Sequence, residues 1–125
     1  MTDMQKNTGI KRILLATKYS WFGLMAAWKH EAAFRQEMVG LLAAVAIAFV
    51  LDITLIEKAA LIGSVLFVIT VELMNSAVEA VVDRIGLDRH ELSGRAKDLG
   101  SAAVFVAIGF ALLIWASVLW THFVR

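Results

Sequence analysis

LGSAAVFVAIGFALLIWASVLW, residues 99–120, runs for 22 residues without a charged side chain. A helix crossing a bilayer needs roughly 20 consecutive, mostly apolar residues, so this stretch predicts a membrane span. Two similar runs lie upstream. MVGLLAAVAIAFVL (38–51) is uncharged, and Ala32, Ala33 and Phe34 extend its apolar character backwards past Arg35 and Glu37. AALIGSVLFVITV (59–71) is also uncharged and passes directly into ELMNSAVEAVVD (72–83). The spans are expected over 32–51, 58–83 and 98–120. Composition agrees: 60% of the 125 residues are hydrophobic and none is proline, whereas soluble domains are about half apolar. The length allows one domain, read as a single integral-membrane unit over residues 1–125.

Several classes of function are excluded or disfavoured. With no cysteine, the chain has no disulfide, thiolate metal site or cysteine nucleophile. No GxxxxGK[ST] or GxGxxG occurs, so a soluble-type nucleotide fold is not indicated. No nucleic-acid partner is expected, and no segment reads as a cleavable leader. The net charge of +1 is uninformative, but its distribution is not. Lys6, Lys11, Arg12, Lys18, Lys29, Arg35, Arg84, Arg89, Arg95 and Lys97 lie before the first span, at its start, or between the second and third; only Lys58 and Arg125 do not. The positive-inside rule then predicts a cytoplasmic N-terminus and a C-terminus on the opposite side, where Trp115 and Trp120 suit the interface.

Residues 1–9 read as a disordered tail. From 10 to 29 a surface helix is expected, because Ile10, Ile13, Leu14, Trp21, Leu24, Met25 and Trp28 recur on one helical face with basic residues beside it. DITLIEK (52–58) reads as a tight outer turn, and RIGLDRHELSGRAKD (84–98) as a polar loop. The fold class is thus an all-α membrane protein: an N-terminal amphipathic interfacial helix plus three transmembrane helices.

The candidate chemistry lies in the second span. At 100° per residue, Asn75, Ser76, Glu79 and Asp83 fall with Glu72 within about one third of the helical wheel. Such a stripe meets protein or water, not lipid. Glu72 and Asp83 are about 16 Å apart along the axis, so Asp83 belongs near the interface and Glu72 nearer mid-membrane. A charged group at the bilayer centre costs at least ~2.5 kcal/mol and is usually functional or paired. Asparagine and glutamate on one face also suit an interhelical hydrogen-bonded clamp. Glu31 and Arg35 have the spacing of a solvated i,i+4 pair, yet Glu31 with Glu79 would also supply two oxygen ligands to Mg²⁺. Ser93 is expected to cap the third span's helix, which would put Arg95 and Lys97 in its first turn as part of an anion site. His30, His90 and His122 lack metal-ligand spacing. Carboxylates for a metal, basic groups for phosphates and a buried base together fit phosphoryl transfer to a lipid hydroxyl.

YSWFGLMAAW (19–28), EAAFRQE (31–37), ELMNSAVEAVVDRIG (72–86) and HELSGRAKDLGSAAV (90–104) closely resemble the prokaryotic diacylglycerol kinase family, and the likeness runs from about Ile10 onward. The resemblance implies a homotrimer with sites shared between protomers, in the bacterial inner membrane, phosphorylating diacylglycerol with MgATP. It implies that Glu72 is the general base with Asn75 beside it, and that Glu31 and Glu79 hold Mg²⁺. Arg12, Tyr19, Glu31, Glu79, Asp88, Arg89, His90, Lys97 and Asp98 would contact the nucleotide. Arg12, Ser20, Arg35, Glu37 and Ser101 would lie near the lipid substrate. Arg89 and Met25 depart from the expected pattern, an aromatic and a basic residue respectively. Undecaprenol is an alternative acceptor within the family. From a different class, the stripe would serve as a proton or cation relay, or as glue in a non-catalytic membrane assembly.

Overall fold

The computed structural model describes residues 8–124, and they form four helices: α1 (Gly9–His30), α2 (Ala32–Val50), α3 (Leu55–Ile85) and α4 (Glu91–Val124). α2, α3 and α4 are each long and apolar enough to cross a membrane. The chain divides into two compact units, residues 1–32 and 33–125.

The first unit is built on α1. The expected tail over residues 1–9 lies outside the described residues except for its last two, and Gly9 already begins the helix. Gly9 takes a φ of 68°, a left-handed conformation that glycine adopts without a Cβ penalty. Lys29 and His30 occupy the last turn, where the helix dipole favours cations. Glu31 ends the helix in an extended conformation while its N–H still donates to Ala27 O at 2.8 Å. Ile10, Ile13, Leu14, Trp21, Leu24, Met25 and Trp28, the expected apolar face, are all exposed.

In the second unit the connection between α2 and α3 is shorter than the expected 52–58 turn. Thr54 starts α3 with a capping box: its hydroxyl accepts from Glu57 N at 3.2 Å, and Glu57 Oε1 accepts from Thr54 N at 3.1 Å. This reciprocal pair satisfies two orphan donors of the first turn, so Glu57 and Lys58 are helical rather than part of the turn. Lys58 then reaches back and donates from Nζ to Ala48 O at 2.7 Å and Leu51 O at 3.0 Å. Those carbonyls end α2 without intrahelical partners, and one ammonium group joins two spans by satisfying them.

α3 and α4 pack antiparallel. Contacts climb α3 as they descend α4: Leu61 clusters with Val118 and Ala48, Trp115 Nε1 donates to Ser64 Oγ at 3.1 Å, and Phe67 meets Phe110 edge-on at 5.3 Å. The Ser64 hydroxyl in turn donates to Leu61 O at 2.8 Å, so it is satisfied as both donor and acceptor. Elsewhere the helices expose large apolar side chains, among them Leu42, Phe49, Phe105, Leu112 and Leu113. A continuous apolar surface of this kind is foreign to a soluble monomer and native to a lipid-facing helix.

The loop expected over 84–98 shrinks to residues 86–90, because α3 continues through Ile85 and α4 starts at Glu91. With 31 and 34 residues, α3 and α4 are about 46 and 51 Å long at 1.5 Å per residue. The hydrocarbon core is only about 30 Å thick, so both helices extend beyond the uncharged runs and carry polar side chains on rigid helical extensions. Replacing Lys58 with Met keeps the apolar stem but removes both carbonyl bonds. The variant is expected to lose about 1–3 kcal/mol of stability, read as a lower thermal unfolding midpoint in detergent.

Candidate functional site

The stripe on α3 is graded along the helix. Glu72 is buried, only 7% exposed; Asn75, Ser76 and Glu79 are half-buried, and Asp83 is exposed. Asn75 Nδ2 donates to Glu79 Oε1 at 3.0 Å, the i,i+4 spacing that places side chains on one face. The amide therefore holds one carboxylate oxygen and leaves the other as an acceptor for a ligand. Glu37, on α2 in the same unit, lies within electrostatic reach of Glu72, and its Oε1 is buried without a hydrogen-bond partner. Two acidic groups thus share the deep end of the stripe.

At the exposed end, Asp83 on α3 pairs with Lys97 on α4: Nζ to Oδ1 is 2.8 Å. Sequence reading named both residues but did not join them, because the register between two helices is not local information. Beside this pair an open cleft of about 770 Å³ is lined by Asp83, Asp88, Arg89, His90, Lys97 and Asp98, among others. Five of those six are the residues expected at the nucleotide on resemblance alone.

The helix start that frames this cleft differs from expectation. Ser93 does not cap α4; the helix begins two residues earlier, at Glu91. The His90 ring replaces the expected hydroxyl, since Leu92 N donates to His90 Nδ1 at 3.0 Å, and Gly94 N donates to His90 O at 2.9 Å. Nδ1 thus serves as the acceptor that caps this helix. The first turn carries an acidic residue, Glu91, which the N-terminal dipole favours. Arg95 and Lys97 therefore fall in the second turn of α4, not in the first as expected. Arg95 instead lies 3.5 Å from Glu91 on the exposed surface.

The remaining expected residues are distributed over both units. Arg12, Tyr19 and Ser20 lie on α1, and Glu31 follows its last turn. Arg12 and Tyr19 are seven residues apart and share a helical face. Ser20 Oγ donates to Ala16 O at 2.8 Å, and the Tyr19 ring meets Phe22 edge-on at 6.5 Å. Arg35 and Glu37 are half-buried on α2, and Ser101 is exposed on α4. The second unit thus brings together Glu37, Glu72, Asn75 and Glu79, and separately Asp83 with Lys97; Glu31 belongs to the first unit.

Among the described residues no group of three or more His, Asp or Glu is arranged to hold a metal. Mg²⁺ is usually held by one or two carboxylates together with phosphate oxygens, and Glu79, oriented by Asn75, is a donor of that type.

A model of the family described as prokaryotic diacylglycerol kinase matches residues 18–119. The chain is 60% identical over 116 residues to the diacylglycerol kinase of Escherichia coli strain K12, covering 93% of this chain and 95% of that one. It is 50% identical over 116 residues to the diacylglycerol kinase of Haemophilus influenzae, covering 93% and 98%. Over 112 residues it is 50% identical to that of Pseudomonas aeruginosa, covering 90% and 91%.

The reassigned start of α4 has a direct test. His90→Ala should cost about 1 kcal/mol at this helix end, as loss of a cap does. It should accelerate amide hydrogen exchange at Leu92 about fivefold, while Ser93→Ala leaves that amide unchanged. Faster exchange in Ser93→Ala instead would return the cap to the hydroxyl.

Proposed function

The chain belongs to the prokaryotic diacylglycerol kinase family, and on that premise we propose that it transfers the γ-phosphoryl group of ATP to diacylglycerol at the cytoplasmic face of the bacterial inner membrane. The observation that carries this reading is the gradient along α3, from buried Glu72 through Asn75-bound Glu79 to Asp83 at the cleft. It separates a buried carboxylate from groups suited to a polyphosphate by about 16 Å along one helix.

In this reading diacylglycerol stays in the leaflet and presents its hydroxyl to Glu72. The carboxylate accepts the hydroxyl proton as the oxygen attacks, and the γ-phosphoryl group passes in line to that oxygen as its bond to the β–γ bridging oxygen breaks and ADP leaves. Charge spreads over the transferring phosphoryl oxygens in such a reaction, and fixed positive groups stabilise it. Lys97 supplies one, exchanging Asp83 for the phosphates when the nucleotide enters the cleft. Asp88, Arg89, His90 and Asp98 line the nucleotide side, with Arg12 and Tyr19 from α1. Glu31 and Glu79, paired by the family resemblance, would hold Mg²⁺, which would supply charge neutralisation at the phosphates. Arg12, Ser20, Arg35, Glu37 and Ser101 border the lipid.

The exposed apolar face of α1, with Trp21 and Trp28, suits a helix lying in the interface, where it would guide the headgroup towards the site. The polar stripe on α3 would be completed by neighbouring protomers in a homotrimer, with the N-terminus cytoplasmic and the C-terminus periplasmic.

Purified protein supplied with MgATP and diacylglycerol is expected to form phosphatidic acid, and to do so faster than it phosphorylates undecaprenol. Faster phosphorylation of undecaprenol would reassign the acceptor; turnover with neither lipid would reject kinase function. Glu72→Gln should lower turnover by roughly 10²–10⁴-fold, the usual contribution of a positioned base, with MgATP binding largely intact. An active Glu72→Gln enzyme would remove Glu72 as the base.

A further inference from the structure

Gly100 sits on α4 directly against Asn75 of α3. A Cβ built on Gly100 would collide with Asn75 Oδ1 and stand 3.1 Å from its Cγ. The other seven glycines have nothing within 4 Å of the same construction. Gly100 is thus the one glycine whose missing side chain is filled by another residue.

The orientation of that residue follows from its partners. Asn75 Nδ2 donates to Glu79 Oε1 at 3.0 Å. A carboxylate only accepts, so the amide nitrogen must be the end turned towards Glu79. The amide oxygen then points the other way, to Gly100, where it is buried without a hydrogen-bond partner. A buried unsatisfied oxygen in a native structure calls for an explanation, and here it is close packing on a bare Cα, with at most a weak Cα–H contact in return. Turning the amide over offers no relief. The nitrogen would take the oxygen's place against the same obstacle, and two oxygens would face each other at Glu79.

We propose that the absent side chain at Gly100 positions Asn75, and through it the Glu79 carboxylate. Gly100 is a positioning residue: it touches no reactant and acts only by leaving room for the amide. Any Cβ there pushes the amide off α4, breaks its bond to Glu79 and frees that carboxylate to rotate. The consequence for catalysis rests on the reading of Glu79 as a Mg²⁺ ligand; the contact itself does not.

A double-mutant cycle separates the two. Wild type, Gly100→Ala, Asn75→Ala and the Asn75→Ala/Gly100→Ala double variant are purified in one detergent, with Gly109→Ala as a control on the same helix. Gly100→Ala should lower the melting temperature by about 4 °C or more when Asn75 is present, and have little effect once Asn75 is Ala. In the kinase assay, Gly100→Ala should raise the half-saturating Mg²⁺ concentration about tenfold or more, as loss of a residue orienting a metal ligand does. Gly109→Ala should match wild type in both measurements.

Equal melting losses in both backgrounds would overturn the Asn75 contact, and a wild-type Mg²⁺ response in Gly100→Ala would overturn the link to Glu79. Should Gly100→Ala fail to fold, folding of the double variant supports the contact; failure of the double variant while Asn75→Ala folds refutes it. If wild type itself transfers no phosphate to diacylglycerol, the functional reading fails, and the melting cycle still decides the contact.

Discussion

In hydrocarbon no water is available to a polar group, so each backbone amide and polar side chain must find its partner inside the protein or be left unsatisfied at a cost of several kcal/mol. Helices meet the backbone half of that demand within themselves, which is why the described residues, 8–124, form four helices and short connections. The ends and the polar side chains must be settled between helices. Lys58 satisfies the carbonyls that end α2, Thr54 and Glu57 satisfy the amides that begin α3, and Ser64 is paired with Trp115 across α3 and α4. The α3–α4 pair on which the site is built follows from the same rule. Among the described residues, the buried side-chain atoms without a hydrogen-bond partner, Asn75 Oδ1 on α3 and Glu37 Oε1 on α2, both belong to candidate functional residues.

Helix length turns this scaffold into a graded site. α3 and α4 exceed the hydrocarbon thickness, so a single rigid element carries a buried carboxylate at one level and an exposed one about three turns away. Side chains on helices are held more exactly than those on loops, because packing fixes their direction. The short 86–90 connection then leaves the cleft framed by two helix ends instead of a long mobile segment. His90 contributes by closing the first turn of α4 with its ring, a role usually taken by Ser, Thr, Asn or Asp.

Much of this was legible in the residues, for reasons that differ by position. Uncharged runs near 20 residues imply spans whatever their neighbours do, since the bilayer imposes the length. The shared face of Glu72, Asn75, Glu79 and Asp83 follows from 100° per residue, and the Asn75–Glu79 bond is an i,i+4 contact within one helix. Helix ends were less legible. Ser93 has the better intrinsic capping propensity, yet the helix starts at Glu91 because the preceding imidazole accepts the amide of Leu92. The turn expected over 52–58 was overestimated for a related reason: Thr54–Glu57 has the spacing of a capping box, but polar residues next to an apolar run read equally as a loop.

The sequence alone therefore determined the class, the three spans, the polar face and the resemblance, because each depends on local periodicity or on the fixed thickness of a membrane. Only the tertiary structure decided which residues meet across helices: Lys97 with Asp83, Trp115 with Ser64, and Asn75 with the bare Cα of Gly100. Gly100 stands in an uncharged run where glycine is unremarkable, since membrane helices commonly use small residues to approach one another. Its particular neighbour depends on the register of α3 against α4. That register is set by the whole length of their packing, so no local stretch contains it.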